Sequence, residues 1–267
     1  MRSTRQQHAR AIAQPKPEPK RWWRVVLIGL AAAAPLPLLA QSQGQGGDGF
    51  VFHRPLVSLA IRAGYDRPMA SSDIYTFATE QLTLSKRDFA AAGIQADLGV
   101  RVAERTEIVI SIGAATRGKG SEFRKFTDLD DLPIEQVTSL RRIPMTVGMK
   151  YALTPPGDRI GKFVWIPNRL TPWIGAGAGL MSYAFTQSGD FVDFQTLRVF
   201  SQKLSSDGFT PMGYAHLGAD LRLTTRLALT GDLRYSLARA TLGQSFEGFD
   251  KIDLSGTAAT MGLTVRY

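Results

Sequence analysis

The sequence predicts an all-β fold: a closed antiparallel transmembrane β-barrel of about eight strands, preceded by a cleaved signal peptide. Three observations support this prediction. Apolar and polar residues alternate through the chain after residue 55, long and short connections alternate between the alternating segments, and glycines recur on their polar face. The mean hydropathy of −0.08 is that of an ordinary soluble protein, but membrane strands give the same average because every second residue faces the lumen.

The first 40 residues are typical of a signal peptide with a long basic n-region. A basic stretch ends at Arg24, an apolar run covers Val25 to Ala34, and we expect cleavage after Ala40. The apolar run is shorter than the roughly 20 residues of a membrane-spanning helix, which argues against a single-pass anchor. Seven basic residues and one acidic residue of this leader supply most of the net charge of +9, so we expect no nucleic-acid partner.

Residues 41–54 are rich in Gln and Gly and are predicted to form a flexible linker, which leaves residues 55–267 for the barrel. The apolar rows pass through residues such as Ile61, Leu98, Ile110 and Val147 in the first four strands. The predicted strands are Leu56–Tyr65, Phe89–Val102, Glu107–Thr116, Ile143–Leu153, Thr171–Phe185, Pro211–Leu223, Leu227–Leu237 and Leu254–Tyr267.

Two segments are harder to interpret than the rest. The fifth strand has an ambiguous facing, and we favour an apolar row through Ile174, Ala176, Ala178 and Leu180, with the glycines turned the other way. The connection from Thr154 to Arg169 should be a short turn but contains an apolar stretch, and it is the weakest point of the strand count. A helix over Ile74–Leu82, capped by Ser71–Asp73, is expected to lie over the barrel mouth.

Alternation alone also fits a soluble barrel with an apolar interior. Glycine on the polar face favours the membrane barrel, because a solvated exterior has no need of small residues whereas a narrow lumen does. These glycines are Gly64, Gly99, Gly113, Gly148, Gly218 and Gly262.

Aromatic residues near strand ends predict two girdles at the membrane surfaces, formed by Tyr65, Tyr183 and Tyr235 at one end and Tyr151, Trp173 and Tyr267 at the other.

The polar row of the strands carries charges of both signs. If these side chains face a narrow lumen, each must be paired or hydrated, since an isolated buried charge is very costly. The prediction is a lumen plugged by a charge network of Arg62, Asp97, Arg101, Lys150, Asp220, Arg222, Asp232, Arg234 and Arg266. The alternative is that this row forms a solvated outer face.

The last strand, Thr257–Tyr267, resembles the C-terminal strand of bacterial outer-membrane barrels, which ends in an aromatic residue. The matching positions are Met261, Leu263, Val265 and Tyr267. Pro172–Gly177 is similar to a Pro-Tyr-Val-Gly-Ala-Gly segment of small OmpA/OmpX/OmpW-like transmembrane barrels. The resemblance implies an outer-membrane location, contact with outer-membrane lipid, and recognition of the last strand by the barrel-assembly machinery as an assembly signal. It implies no activity.

The sequence offers little for catalysis. It has no cysteine, and no metal-ligand spacing or cofactor motif is present, so we expect no metal or cofactor. His216 is the only candidate base in a predicted strand, and a structural hydrogen bond to Asp220 or Tyr214 is the favoured interpretation.

We expect a non-enzymatic structural or surface-interaction protein with long extracellular loops and an unknown loop partner. The alternatives are an OmpW-like pore for small solutes or hydrophobic compounds and, less favoured, a lipid-modifying enzyme.

Overall fold

The computed structural model describes residues 50–127, 131–161, 164–193 and 198–267. The predicted signal peptide and most of the predicted linker lie outside these residues. Eight long strands form the barrel, and we number them in chain order: β1 Val57–Pro68, β2 Ala91–Arg101, β3 Thr106–Thr127, β4 Pro133–Ala152, β5 Leu170–Val192, β6 Val199–Arg222, β7 Leu227–Ala240 and β8 Gly256–Arg266.

The barrel closes as a simple up-and-down meander. Each strand pairs antiparallel with the next, and β8 pairs with β1 through a register that sets Leu59 opposite Val265 and Tyr65 opposite Ala259. The predicted closed antiparallel barrel of eight strands is therefore confirmed. Closure satisfies the backbone hydrogen bonds at both edges of the sheet, as a bilayer requires.

The two ends of the barrel differ. At the turn end, β2 and β3 are joined by residues 102–105, and β6 and β7 by residues 223–226. The doubtful segment between β4 and β5 lies at this end and forms a small hairpin of Gly157–Ile160 and Val164–Pro167. Trp165 of this hairpin is buried and exchanges two backbone hydrogen bonds with Val51, so the hairpin packs against the segment that leads into β1.

At the other end, the loop end, β3 to β6 contain 22, 20, 23 and 24 residues. About 9–11 residues suffice to cross a membrane, so these four strands continue beyond it as a sheet. We call this extension of β3 to β6 the loop-end wall. The sequence prediction placed the loop-side ends of β3, β4 and β6 about 10 residues too close to the barrel. The wall is polar on much of both faces, so it lacks the apolar alternation that marks a membrane strand.

The loop end also carries the predicted helix, α1, over Asp73–Gln81, followed by a 3₁₀ turn at Lys86–Phe89. The connection from β7 to β8 adds a 3₁₀ turn at Gln244–Phe246 and a two-residue strand, Ile252–Asp253, that pairs with the end of β7. We call residues 69–90 together with residues 241–255 the cap. In the described part of the chain, no helix is long and apolar enough to cross a membrane.

The barrel wall is apolar outside and polar inside. Ile61 and Ile94 are 67% and 66% exposed on the exterior, whereas Arg62 and Asp97, their lumen-facing neighbours, are almost completely buried. The exposed apolar belt continues round the barrel through Leu59, Leu98, Ile110, Val147, Ile174, Leu180, Leu217, Leu233, Met261 and Leu263. Such a belt on a closed barrel faces lipid, and the solvated-outer-face alternative for the charged row is excluded.

Candidate functional site

The candidate site is the barrel lumen together with the cap that covers it. On the turn-end side of the lumen, Asp220 of β6 is the centre of a buried polar cluster. Its carboxylate accepts hydrogen bonds from Lys150 Nζ at 2.9 Å, Arg266 Nη2 at 2.7 Å, Thr230 Oγ1 at 2.9 Å and Trp173 Nε1 at 3.2 Å. Both positive partners come from other strands, so this cluster ties β4, β6 and β8 together across the lumen.

A second cluster lies at the middle of the lumen around Arg62 of β1. Its guanidinium contacts Asp97 at 2.5 Å and Asp232 at 3.2 Å. Gln95 donates a hydrogen bond to Asp97 at 2.6 Å, and His216 Nδ1 lies 2.8 Å from the Asp232 carboxylate. The partner of His216 is therefore Asp232 on the neighbouring strand, and the expectation of Asp220 or Tyr214 was wrong.

Nearest to the cap, Arg142 of β4 donates to Asp66 at 2.5 Å and to the backbone carbonyl of Leu254 at 2.9 Å. It thereby links the lumen to the cap. The guanidinium of Arg234 lies over the ring of Tyr214, with 4.4 Å from Cζ to the ring centroid. These contacts complete a column of charged side chains from one end of the lumen to the other.

Six of the predicted network residues form ion pairs: Arg62, Asp97, Lys150, Asp220, Asp232 and Arg266. The other three differ. Arg222 donates to the carbonyl of Pro167 in the turn-end hairpin, and among the described residues neither Arg101 nor Arg234 has a carboxylate within ion-pair distance. By strand facing, seven basic side chains and five carboxylates point inward: Arg62, Arg101, Arg142, Lys150, Arg222, Arg234 and Arg266, and Asp66, Asp97, Glu107, Asp220 and Asp232.

The predicted charge network missed Asp66, Glu107 and Arg142, whereas Gln95 was placed on the polar row of its strand without being assigned to the network. Asp66 and Arg142 lie just outside the predicted ends of their strands, so their facing was not considered. Glu107 was placed in the third strand, but as its first residue, and it lies 3.9 Å from Lys150. Extending the same alternation by one or two residues would have brought these side chains into the lumen.

The predicted aromatic girdles need one correction. Tyr65, Tyr151, Tyr235 and Tyr267 are on the exterior and are 41–56% exposed, while their role at the membrane surface stays a prediction. Trp173 and Tyr183 are each only 2% exposed and point into the barrel. Both are odd-numbered residues of β5, and the apolar row confirmed for this strand consists of even-numbered residues, so their facing follows from strict alternation.

Aromatic rings fill the lumen beside its glycines. A Cβ atom added at Gly218 would lie 2.4 Å from the Trp173 ring, one at Gly175 would lie 2.3 Å from the His216 ring, and one at Gly148 would lie 2.2 Å from the Tyr214 hydroxyl. The rings of Trp173 and Tyr214 pack edge-on against His216, with centroids 4.8 Å and 5.1 Å away. The glycines on the polar face thus provide space for aromatic side chains.

The cap closes the lumen with an apolar core. Ile74 and Tyr75 of α1 are completely buried, and the Tyr75 ring packs edge-on against Phe89 at 4.9 Å and Phe185 at 6.0 Å. Burial raises the pKa of the Tyr75 hydroxyl. The same core includes Leu140, Met181, Met212, Phe246, Ile252 and Leu254.

Polar contacts fasten α1 to the connection between β7 and β8. The hydroxyl of Ser71 donates to the carboxylate of Asp253, and the backbone N–H of Asp253 donates to Ser72 Oγ at 3.1 Å. Asp253 is buried, which by itself raises its pKa. Its hydrogen bonds from Ser71 and Ser255 outweigh that effect, so the pKa of Asp253 lies below its usual value. The predicted helix over the mouth is therefore held there by a buried carboxylate.

The described residues contain no group of three or more His, Asp or Glu side chains placed to hold a metal ion. His216 is buried between aromatic rings, and its Nε2 side lies against the backbone of Gly175. The contacts of His216 with Asp232, Trp173 and Tyr214 join β5, β6 and β7.

A closed barrel with an apolar exterior belt and a polar lumen is the architecture of outer-membrane proteins. The protein therefore has the fold of a transmembrane β-barrel.

No family model matches the chain, and no curated protein matches it. Among solved structures, Neisserial surface protein A is 12% identical, with 84% of this chain and 100% of that chain covered at a TM-score of 0.44. The attachment invasion locus protein Ail of Yersinia pestis is 12% identical, with coverages of 80% and 99% and a TM-score of 0.40. The outer membrane protease OmpT of Escherichia coli is 10% identical, with 84% and 98% covered and a TM-score of 0.36.

Proposed function

We propose that the protein is a structural or surface-interaction barrel with a plugged lumen, which acts through its loop-end wall and cap and not as a pore. The observation that carries this proposal is that buried side chains block the lumen both at the cap and at the ion-pair clusters. Ile74, Phe185 and Ile252 are completely buried in the cap core, and the ion-pair clusters lie beneath them.

Opening the lumen would require two rearrangements that each cost free energy. An eight-stranded barrel is just wide enough for side chains to fill it. A conducting path would have to separate Asp220 from Lys150 and Arg266, and removing one partner of such a buried pair costs about 3–5 kcal/mol. It would also have to displace the apolar cap core. Both barriers favour a closed barrel.

The loop-end wall offers the surface for a partner. Its two hairpins are joined by the pairing of β4 with β5, which continues as far as Gln136 opposite Gly189. Phe200 is 44% exposed on β6, and Val137 is 47% exposed on β4. Exposed apolar side chains on a rigid sheet beyond the membrane favour contact with another macromolecule. The partner itself is unknown.

Conductance in planar lipid bilayers tests the plugged lumen. We expect the full-length barrel to give no steady single-channel current, and cells that express it to take up small or hydrophobic solutes no faster than cells without it. A variant with Ile74→Asp, which places a charge in the cap core, should give intermittent currents, while the exposed Thr76→Asp on the same helix should not. A steady current from the unmodified barrel would instead support the pore.

We propose no catalytic role for His216. A lipid-modifying enzyme must bring its base to the lipid, but the side chain of His216 points into the lumen of the barrel, away from the lipid. The test is lipid A hydrolysis by purified barrel in mixed micelles, with His216→Ala as the comparison. Hydrolysis that is lost in His216→Ala would overturn this proposal and favour the enzyme.

A further inference from the structure

A small cavity of about 50 Å³ lies inside the barrel between the cap and the central ion pairs. Arg234 of β7 and Thr260 of β8 line it from one side, and Gln95 of β2 lines it from the other. Arg142 and Asp66 also face it, and they are paired with each other at 2.5 Å. Arg234, Thr260, Gln95 and Arg142 thus bring hydrogen-bond donors to a cavity that is otherwise lined largely by apolar residues and glycines, and its one carboxylate is already paired.

Arg234 is the side chain in this cavity that lacks polar partners. It is 7% exposed, and its Nε and Nη2 atoms meet no hydrogen-bond acceptor among the described residues. Thr260 Oγ1, which lines the same cavity, is also buried without a partner. Two buried N–H groups of a guanidinium without acceptors are costly, and structures normally supply an acceptor for such groups.

The charge balance of the lumen shows what kind of acceptor is needed. All five inward-facing carboxylates lie within ion-pair distance of a basic side chain other than Arg234. Of the basic side chains without a carboxylate partner, Arg101 and Arg222 are only half-buried and lie at the turn end. Among the described residues, Arg234 is therefore the enclosed positive charge of the lumen that has no carboxylate within ion-pair distance, and a negative ligand would complete the site.

We propose that the cavity binds a small monovalent inorganic anion of the chloride class, held by Arg234 Nε and Nη2 and by the hydroxyl of Thr260. The size of the cavity sets this limit. A water molecule needs roughly 10–15 Å³ of such volume, so a cavity of about 50 Å³ accommodates a halide with a few waters. A lipid headgroup or a nucleotide does not fit. The anion would join β7 to β8 at the level where the ion pairs end.

Crystals of the full-length barrel grown or soaked in sodium bromide provide a direct test. We expect an anomalous bromide peak within hydrogen-bonding distance of the Arg234 guanidinium. Arg234→Gln should lose the peak, and Thr260→Val should weaken it. Arg67→Gln removes an exposed arginine from the exterior of β1 and should leave the peak unchanged. Bromide density that is absent from this cavity in the unmodified protein would overturn the proposal.

A solution measurement covers the case in which Arg234→Gln does not crystallise. The urea midpoint of unfolding is compared in sodium chloride and in sodium gluconate at equal ionic strength, because gluconate is too large for the cavity. The midpoint should be higher in chloride for the unmodified barrel and for Arg67→Gln, and equal in both salts for Arg234→Gln. An equal chloride effect in all three proteins would show that chloride acts elsewhere. If Arg234→Gln does not fold, the bromide experiment on the unmodified barrel decides.

Discussion

At the scale of single residues, the lumen is built from pairs of a glycine and an aromatic ring. Gly218 lies under Trp173 and Gly175 under His216, so two glycines in neighbouring strands determine where the largest lumen side chains can lie. The Trp173 indole can then donate to Asp220, which is also the partner of two basic residues. Space for a ring and the position of an ion pair are therefore linked.

The substitution Gly218→Ala should destabilise the barrel by about 1–3 kcal/mol, because the added methyl group would overpack the lumen. Its Cβ would lie 2.2 Å from the carbonyl oxygen of Gly231 and 2.4 Å from the Trp173 ring. The control is Gly213→Ala on the same strand, where a Cβ would meet no atom within 4 Å. Urea unfolding followed by tryptophan fluorescence measures the difference. Equal midpoints for the two variants would contradict this packing.

Residue facing was the part of the site that the sequence predicted best. The alternation predicted which side chains face the lumen, and six of the nine predicted charged residues form ion pairs there. The alternation also indicated that Trp173 points inward, but Trp173 was assigned to an aromatic girdle instead. The partner of His216 was out of reach, because it depends on the register of β6 against β7, which sets His216 opposite Arg234 and next to Asp232. Register between strands is not encoded in the period of either strand alone.

At the scale of elements, the cap depends on a carboxylate that connects two loops distant in the sequence. Asp253 lies beyond the membrane-spanning strands and accepts a hydrogen bond from Ser71 at the start of α1. The helix itself is only nine residues long and has no side-chain hydrogen bond at its N-cap. An isolated helix of this length is unstable in water, so packing and this contact hold it in place.

The Asp253 contact should make the cap sensitive to acid. The pKa of Asp253 is lower in the folded protein than its ordinary value near 3.8, so its stabilising effect is complete above about pH 4. The effect is lost as the pH falls through the lower, folded pKa. At pH 6, Asp253→Asn should reduce stability by about 1–2 kcal/mol, and the difference should shrink below pH 4. Urea midpoints across this range measure it, with the exposed Asp250→Asn as the control. A difference that stays constant with pH would contradict the role assigned to Asp253.

The last strand has a comparable dependence on its final residue. The backbone of Tyr267 makes three hydrogen bonds with Leu56 and Val57, at 2.7, 3.1 and 2.8 Å, where β8 meets β1. Its ring is on the exterior. Deleting Tyr267 removes these bonds together with the terminal aromatic of the proposed assembly signal.

We expect the Tyr267 deletion to lower the amount of protein inserted in the outer membrane several-fold, with little effect on the barrel that does insert. Membrane fractionation and heat-modifiability on gels measure both quantities. Tyr267→Phe keeps the aromatic ring and the backbone contacts, and should insert normally. Normal outer-membrane levels of the deletion variant would count against the proposed assembly signal.

At the scale of the whole molecule, the sequence predicted the strands and short turns that the alternation of apolar and polar residues encodes. It missed the parts of the fold that show no such alternation. All eight strands, their order and the short turns 102–105 and 223–226 follow from alternation and turn residues. The wall beyond the membrane was missed because its buried inner positions include polar residues such as Gln136, Thr138 and Gln187, so the strands there show no apolar row. The apolar stretch that contains Trp165 was noticed, but the pairing of Trp165 with Val51 depends on contacts distant in the sequence.

The pairing of β1 with β8 has a consequence for how the protein is made. Leu59 pairs with Val265, near the opposite end of the chain, so a product that lacks β8 cannot close the cylinder. Contacts between such distant residues form slowly, and the open sheet would meanwhile expose both an apolar belt and two unpaired edges. Export must therefore deliver the chain through β8 before the barrel can close, and a product that ends before β8 keeps an open sheet.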